Sequence, residues 1–594
     1  MLVNCSVVQR LPRFCYSRGQ FLTRKFAITS TMTLISSPVS VATSGAEPKM
    51  LSILSTPLTR TSLFLKFCLG ASALSLTLQV WAADSISADN TATAPATASA
   101  SAGPTISALF DWSKVPPVTA PSRPGLFSIA PSGPGYYSLL DHVTGNQRQT
   151  PPVSPYAPYA LMTTPAFDID FRYLEKPGHE KDLFDPIKRI HIGNDFLLSF
   201  GGSFWYRYMR ESDVRLTSAN DNYHLIRSRF HADFWYQDRV RLFAEFLDAR
   251  SFGQGLTPLA TDVNHTDMLN LFADIKIANI KDGPAYLRVG RQELLYGSQR
   301  LISTLDWVNT RRTFQGVKGF WRTPTFDLDA FWVRPMNTER DAFDNWDTKR
   351  EFFGLWGTYK PMKGQLADFY FLSLADNRDM AIGRNNARGN SIVHTLGSRI
   401  AGDYNRFLYE LEGMYQFGQH SNQDISAFAV ASGAGYHFKG TPMNPQFWLR
   451  YDFASGDNNL ADGSRNTFNQ LFPFGNYYLG WIDRVGRQNI HDFNAQINLH
   501  PQPWATFTAQ YHRFYLANKR DFLYNAAGAA TLRDPTGQSG SYVGDEIDFR
   551  LNVHVDRHQD VLVGYSKLFA GNFLKARAPG ISPGLFYVQY NFRF

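Results

Sequence analysis

Beyond residue 68 the sequence contains no cysteine, since the three cysteines of the 594-residue chain are Cys5, Cys15 and Cys68. This absence excludes a disulfide framework, a thiolate metal site and a catalytic Cys from the rest of the chain. No run of about twenty apolar residues occurs after residue 100, which excludes a helical membrane protein. The formal net charge is only +8, and Lys and Arg alternate with Asp and Glu. We therefore expect no nucleic-acid partner.

Aromatic residues, in contrast, are abundant. Phe, Tyr and Trp make up 15% of the chain, and the 47 Phe and 28 Tyr residues lie in alternating runs rather than at helical spacing. In a strand that crosses a membrane, one face meets lipid and the other a wet interior, so apolar and polar residues alternate. The composition therefore favours membrane-spanning strands.

The last ten residues, 585–594, show this alternation most clearly. One face carries Phe586, Val588, Tyr590, Phe592 and Phe594, and the other carries Tyr587, Gln589, Asn591 and Arg593. A strand that ends on an aromatic residue resembles the terminal signal of bacterial outer-membrane barrels. The alternative is the last strand of a soluble sandwich, so the remaining segments have to decide.

From residue 195 onward, about eighteen segments alternate over roughly the 9–11 residues that a membrane-crossing strand needs. Their ranges are 195–210, 223–237, 239–250, 267–280, 284–293, 312–323, 325–335, 350–360, 365–376, 391–401, 405–417, 424–438, 446–454, 490–500, 503–516, 544–556, 559–569 and 584–594. An even number of strands places both chain ends of a barrel on the same side of the membrane.

The connections between these segments alternate in length. Nearly every second one is a tight turn, such as Gln237-Asp238, whereas most of the others are long, above all 455–489 and 517–543. Outer-membrane barrels have short periplasmic turns and long outer loops. A propeller would repeat every four strands, and a sandwich shows no such rhythm. We therefore predict an all-β fold, a transmembrane antiparallel β-barrel of about 18 strands over residues 183–594, in the bacterial outer membrane.

Residues 50–82 are expected to be a cleaved secretory signal peptide. Arg60 and Lys66 provide its positive charge, residues 67–78 form a short apolar core, and small residues precede a cleavage site after Ala82. The apolar core is too short to cross a bilayer as a helix. The signal therefore directs export and does not anchor the protein.

The first 49 residues are rich in Arg and carry no acid before Glu47, as in an organelle transit peptide. Because a complete signal begins at Met50, we interpret residues 1–49 as a mis-assigned upstream extension. Residues 83–182 form a low-complexity and then Pro-rich segment. It lies in the periplasm or folds into the barrel mouth, and the sequence does not choose between these positions.

Placing the apolar face of each strand outward puts charged side chains inside the barrel. In segment 223–237, for example, Ile226 and Phe230 face lipid, so that Arg227 and Arg229 face the lumen. The predicted lumen-facing residues of a substrate path are Arg227, Arg229, Asp233, Arg241, Glu245, Lys276, Arg288, Arg450, Asp452 and Arg550.

Two interpretations of these charges remain open. The acidic and basic groups neutralise one another, each solvated pair contributing only about 0–1 kcal/mol. Alternatively, the arginines form a ladder for a passing anion, because a planar guanidinium binds a carboxylate through two parallel hydrogen bonds. Several weak sites in series would let the ligand move on, as conduction requires.

Three segments resemble the alginate-export family of outer-membrane barrels. They are Leu183-Phe-Asp-Pro-Ile-Lys-Arg-Ile-His-Ile-Gly193 leading into residues 197–202, Leu287-Arg-Val-Gly-Arg-Gln-Glu293 continued by residues 296–301, and Tyr451-Asp-Phe-Ala-Ser-Gly-Asp457 followed by residues 466–473 and 488–490. The resemblance covers residues 183–594. It implies an eighteen-stranded barrel whose Arg-rich lumen passes a polyuronate outward, with roles for Arg288, Arg291, Arg450 and Asp452.

We therefore expect an outer-membrane diffusion channel, similar to a porin, for an anionic polysaccharide such as alginate. The alternatives are a specific porin for small organic anions and a non-transport structural or adhesive barrel. Expected partners are the anionic carbohydrate or organic-anion solute, outer-membrane lipid, the barrel-assembly machinery and periplasmic export proteins.

Catalysis and cofactors are not expected. His394, His500, His512 and His554 have no Ser nucleophile in a recognisable motif nearby. Asp457 and Asp462 are predicted to be turn residues, because their spacing lacks the order of an EF-hand, and a loop Ca²⁺ site is the alternative. The sequence thus predicts a channel without catalytic residues or a bound cofactor.

Overall fold

The computed structural model describes residues 109–117, 131–156 and 163–594. The predicted upstream extension and signal peptide, residues 1–82, lie outside the described residues. Eighteen antiparallel strands form a closed barrel, which confirms the predicted fold. In chain order, β1 to β18 are Phe196–Ser212, Asp221–Tyr236, Val240–Phe252, Asn264–Ile280, Gly283–Gln292, Phe314–Arg322, Phe326–Asn337, Arg350–Tyr359, Gln365–Ile382, Arg388–Tyr404, Phe407–His420, Gln423–His437, Gln446–Ala454, Ile490–Gln502, Ala505–Leu516, Tyr542–His554, Gln559–Ala570 and Gly584–Arg593.

The barrel closes where its first and last strands meet. In the pairing of β1 with β18, Ser203 lies opposite Arg593 and Ser212 lies opposite Gly584. The other strands pair with their neighbours in chain order. A closed sheet leaves no edge whose backbone groups would be unpaired in lipid.

Short turns and long loops lie at opposite ends of the barrel. Residues 237–239 and 323–325 are short turns, whereas residues 293–313 and 455–489 are long connections at the other end. Because outer-membrane barrels have their short turns on the periplasmic side, the turn end is periplasmic and the loop end is extracellular. Several strands, including β9, extend further toward the loop end than the sequence predicted.

The outward face of the barrel is apolar. Phe230 and Leu242 are 57% and 52% exposed, and many further large apolar side chains of the strands are exposed in the same way. An apolar band of this extent belongs in lipid rather than in water. In β18, Tyr587 and Gln589 are buried and face inward, so the alternation predicted for the last strand is confirmed.

The remaining elements are short. The helices α1 to α3 are Leu139–Thr144, Asn476–Leu479 and Asn572–Arg577, and single 3-10 turns are Trp112–Lys114, Ala166–Asp168, Arg172–Glu175, Asp185–Ile187, Val214–Leu216 and Arg384–Asn386. Short extra strands are Ile190–Ile192, Asn345–Trp346, Ser464–Arg465, Phe522–Tyr524 and Ala530–Arg533. Within the described ranges, no helix has both the length and the apolar character needed to cross a bilayer.

Candidate conduction path

The ten side chains predicted to line a substrate path all lie on the inward face of their strands. Asp233 and Lys276 are half-buried, and the other eight are buried. In β2, for example, Arg227 and Arg229 alternate with the exposed Phe230. Position alone does not establish transport, so the role of these residues in a solute path stays a prediction.

Eight of the ten residues are joined to an oppositely charged side chain. The pairs are Arg227–Asp306 at 2.9 Å, Arg229–Glu245 at 3.4 Å, Arg241–Asp233 at 2.7 Å, Arg288–Asp274 at 2.7 Å, Arg487–Asp452 at 3.0 Å and Lys276–Asp238. For these eight residues the geometry agrees with mutual neutralisation. A buried charge that keeps its partner avoids most of the cost of desolvation.

Arg450 and Arg550 differ from the other eight because neither forms an ion pair with a described residue. Arg450 Nη1 donates a hydrogen bond to Gln496 Oε1 at 2.5 Å, and Arg550 Nη2 donates one to Gln510 Oε1 at 2.6 Å. Among the described residues, Nε and Nη2 of Arg450 and Nε and Nη1 of Arg550 are buried without a hydrogen-bond acceptor. The ring of Tyr477 lies between them, 5.7 Å and 5.8 Å from the two guanidinium carbons.

The loop of residues 293–313, here called the first inward loop, folds into the lumen instead of covering the outside. Its Arg300 contacts Glu410 at 2.9 Å and Glu412 at 3.1 Å on β11. Arg399 of β10 also contacts Glu410, at 3.1 Å. All four side chains are buried. The loop is therefore attached to the wall by a network of buried charges.

Residues 455–489 form the second inward loop, which packs against the first. Phe472 N donates to Leu301 O at 2.9 Å, and Ser303 N donates to Phe472 O at 3.0 Å. The ring centroids of Trp307 and Trp481 are 4.8 Å apart. The two loops thus form one body across the lumen, where the hydrophobic core of the protein also lies.

The sequence did not reveal that these connections turn inward. The alternation of short and long connections predicted that residues 455–489 form an outer loop. Only the ends of this segment lie there, because its middle folds into the lumen. A signal was nevertheless present, because an exposed loop seldom carries so many large aromatic residues. These residues, all buried, are Phe468, Phe472, Phe474, Tyr477, Tyr478 and Trp481.

Part of the Pro-rich N-terminal segment lies inside the periplasmic mouth of the barrel. Trp112 and Val115 are buried in a cluster with Leu197, Trp235 and Tyr286. A cavity of about 110 Å³ lies between this region and the first inward loop. Trp112 and Val115 thus contact the inner wall at the barrel mouth, which is one of the two positions that the sequence left open.

Asp483 of the second inward loop gives the channel a testable pH dependence. Burial raises the pKa of its carboxyl from 3.8 to about 7, although a hydrogen bond from Asn476 and the charge of Arg484 oppose this shift. Because the pKa is raised in the packed loop, the protonated carboxyl stabilises the packing fully below the ordinary pKa of 3.8. This stabilisation is lost as the pH rises to about 7. Raising the pH from about 4 to about 7 therefore weakens the packing of this loop in the lumen.

We expect conductance to rise between about pH 4 and about pH 7, and Asp483→Asn to abolish this rise because asparagine cannot ionise. Conductance of the reconstituted protein, recorded as a function of pH, measures the effect. Asp545→Asn, at the outward-facing pair of Arg513 and Asp545, is the control and keeps the rise. A rise that persists in Asp483→Asn would assign it to another group.

The acidic residues of the predicted turn region act within their own loop. Asp457 Oδ1 accepts a hydrogen bond from Asn459 N at 2.8 Å, and Asp462 Oδ1 accepts one from Ser464 N at 2.8 Å. Such contacts are typical of turn residues. In the part of the chain that the structure describes, no group of three or more His, Cys, Asp or Glu could hold a metal ion. The loop Ca²⁺ site remains an untested alternative.

A closed barrel with an apolar outer band, a charged lumen and inward loops defines a transport channel of the bacterial outer membrane. The chain belongs to the alginate export family, whose model matches residues 196–588. The predicted family membership is therefore confirmed. No curated protein matches this chain.

Similar solved structures come from Pseudomonas aeruginosa. OpdO is 12% identical, with 67% of this chain and 97% of that chain covered and a TM-score of 0.46. The outer membrane protein OpdK is 11% identical, with 67% and 98% covered and a TM-score of 0.46. OccK8 (OprE) is 13% identical, with 67% and 98% covered and a TM-score of 0.46. Sequence identities and TM-scores this low carry no information about the solute of the present channel.

Proposed function

We propose that the protein is a diffusion channel that passes an anionic polysaccharide, such as alginate or another polyuronate, across the outer membrane. The observation that carries this proposal is the pair Arg450 and Arg550, whose buried guanidinium groups have free N–H donors and no ionic partner among the residues that the structure describes. A polyuronate presents carboxylates at regular intervals, and a planar guanidinium binds a carboxylate through two parallel hydrogen bonds. Arginine pairs that already hold an acid would attract the chain only weakly.

Passage of a polymer requires movement of the inward loops. Tyr477 lies against both Arg450 and Arg550, and the ring of Trp481 lies 4.4 Å from the guanidinium carbon of Arg550. While these rings occupy the arginine faces, a polymer cannot stack on them. The proposal therefore assigns the second inward loop the part of a gate that a solute displaces.

The second candidate is a specific porin for small organic anions. It is favoured by the cavity of about 110 Å³ at the periplasmic end, which is lined by Arg241, Arg288 and Lys318 together with acidic and aromatic side chains. Sites for small ligands combine apolar walls with a few polar groups, as this cavity does. A small acid would require less displacement of the inward loops than a polymer would.

The proposal is tested with the protein reconstituted in a planar bilayer. The reversal potential in a salt gradient gives the ion preference, and added polyuronate tests for block. Arg450→Ser combined with Arg550→Ser should lower the anion preference and weaken polyuronate block by about tenfold or more, because hydrogen bonds to charged groups contribute roughly 1.5–3 kcal/mol. Arg513→Ser, an outward-facing arginine on β15, is the matched control.

The outcomes distinguish the candidates. Block that is unchanged in the double variant would contradict an Arg450–Arg550 path. Wild-type conductance that small organic acids block and polyuronate does not would favour the specific porin. If no conductance is recorded under any condition, even in a variant whose second inward loop is loosened, a structural or adhesive barrel is favoured.

A further inference from the structure

The N-terminal insert, defined here as residues 109–117 and 163–168, occupies the periplasmic mouth without belonging to the wall. Within these residues the chain forms 3-10 turns and irregular backbone, and it contributes no strand to the barrel. The barrel ladder closes independently through β1 and β18. The insert can therefore leave the lumen without breaking a strand pairing.

Phe167 holds the insert against two of the predicted path arginines. Its ring lies 5.6 Å from the ring of Phe243 and 5.1 Å from that of Phe272. Arg241 Nη2 donates a hydrogen bond to Phe167 O at 2.8 Å, and the guanidinium carbon of Arg288 lies 4.4 Å from the Phe167 ring. The insert thus covers Arg241 and Arg288 from the periplasmic side.

A second contact connects the insert to the first inward loop. Thr163 donates two hydrogen bonds to Asp306 Oδ2, from its backbone N at 2.8 Å and from Oγ1 at 2.6 Å. Asp306 Oδ1 accepts from Arg227 Nη2 at 2.9 Å and also from Arg311. One buried carboxylate therefore joins the barrel wall, the inward loop and the insert. Hydrogen bonds to a charged group are about twice as strong as neutral ones.

We propose that the N-terminal insert is a displaceable plug of the periplasmic mouth, latched by Thr163 on Asp306 and anchored by Phe167 over Arg241 and Arg288. The channel opens to the periplasm when the plug leaves. This gate lies at the end of the lumen opposite to the extracellular loops, and it acts whatever solute passes. Two barriers, the plug and the inward loops, then control passage.

The first test adds Thr163→Val and Phe167→Ala to a full-length protein that carries Trp481→Ala, which loosens the second inward loop, and compares the conductance with that of Trp481→Ala alone. Valine keeps the shape of Thr163 but lacks the hydroxyl donor, and alanine removes the anchoring ring. The expected result is a rise of about tenfold in mean conductance, since a lost hydrogen bond to a charged group changes a population by about this factor. Val143→Ala is the control, because Val143 lies on the same N-terminal segment and is 74% exposed.

The second test measures accessibility and does not depend on conduction. In a background with Cys5, Cys15 and Cys68 replaced by Ser, Ala166→Cys provides a single thiol at a buried position of the plug. An impermeant thiol reagent should modify it slowly, and about tenfold faster when Thr163→Val is added. Val143→Cys should react fast in both backgrounds.

The two readouts decide the proposal together. Faster labelling of Ala166→Cys with higher conductance supports a displaceable plug. Equal labelling with and without Thr163→Val overturns it, because the insert would then be a fixed part of the barrel. Faster labelling with unchanged conductance, measured in a variant whose second inward loop has been loosened, overturns the gating role. Neither readout depends on anion selectivity, so the plug and the proposed solute fail separately.

Discussion

Deleting residues 468–484 from the second inward loop, in a protein whose N-terminal insert is released by Thr163→Val and Phe167→Ala, is expected to convert an occluded barrel into a freely conducting pore. This stretch carries the aromatic side chains that fill the lumen. The wall does not depend on it, because β13 and β14 pair with each other over residues 446–454 and 490–498. Barrels of about 16–18 strands enclose an aqueous channel when nothing fills them. Single-channel recording should therefore show a large, weakly selective conductance.

A point substitution gives the same result in a milder form. Trp481 lies 4.8 Å from Trp307 by ring centroids, and its Nε1 donates to Gln510 Oε1 at 3.3 Å. Replacing a buried Trp with Ala costs about 3–5 kcal/mol of stability. Here the loss weakens the attachment of the loop more than it weakens the barrel wall. Trp481→Ala should thus conduct at an intermediate level, whereas Trp346→Ala, at a side chain that is 48% exposed, should not change conductance. Unchanged conductance in both loop variants would contradict occlusion by this loop.

Glu410→Ala is expected to cause a large loss of stability. Glu410 faces two buried guanidinium groups, Arg300 at 2.9 Å and Arg399 at 3.1 Å. Removal of one member of a buried ion pair costs about 3–5 kcal/mol, because the partner charge remains buried. Arg399 keeps Asp368 at 2.5 Å, and Arg300 keeps Glu412, so the network is weakened rather than abolished.

The stability change is measured as the urea concentration or the temperature at the midpoint of unfolding. Unfolding is monitored by the mobility of the folded barrel on a gel. The matched control is Asp545→Ala, which breaks the outward-facing pair with Arg513, itself 45% exposed at its side chain. Exposed pairs contribute only about 0–1 kcal/mol, so the control should unfold almost as the unchanged protein does. Equal effects of Glu410→Ala and Asp545→Ala would contradict a structural role for the buried network.

Two irregular strands show that the alternation of apolar and polar residues does not by itself identify every barrel strand. Segments 350–360 and 391–401 do not alternate cleanly in sequence, yet both form barrel strands. An added Cβ at Gly354 would lie 2.1 Å from the Phe331 ring, and one at Gly397 would lie 2.2 Å from the Tyr370 ring. In each case a glycine makes room for an aromatic ring of the neighbouring strand. The pattern of one strand therefore depends on the register of the next.

Arg291 illustrates the same dependence on its surroundings. Gly290 has a φ of +134°, a conformation that L side chains rarely adopt, and it lies next to Arg291 in β5. The period of two places Arg291 on the lipid-facing side of its strand. In the structure its guanidinium forms an ion pair with Asp267 at 2.6 Å, near the extracellular end of the barrel. The contact that Arg291 makes thus depends on the neighbouring strand and not on the period of its own strand alone.

The sequence by itself determined the number of strands, their order, the side of the membrane for each connection and the face of each predicted lumen residue. These properties follow from a period of two and from turn length, which are local along the chain. The tertiary structure alone decided what fills the lumen and which charges are paired. Thr163 and Asp306 are 143 positions apart, and Tyr478 donates to Ser298 O from 180 positions away. Contacts of this kind depend on how loops fold back into a closed barrel, which no local pattern encodes.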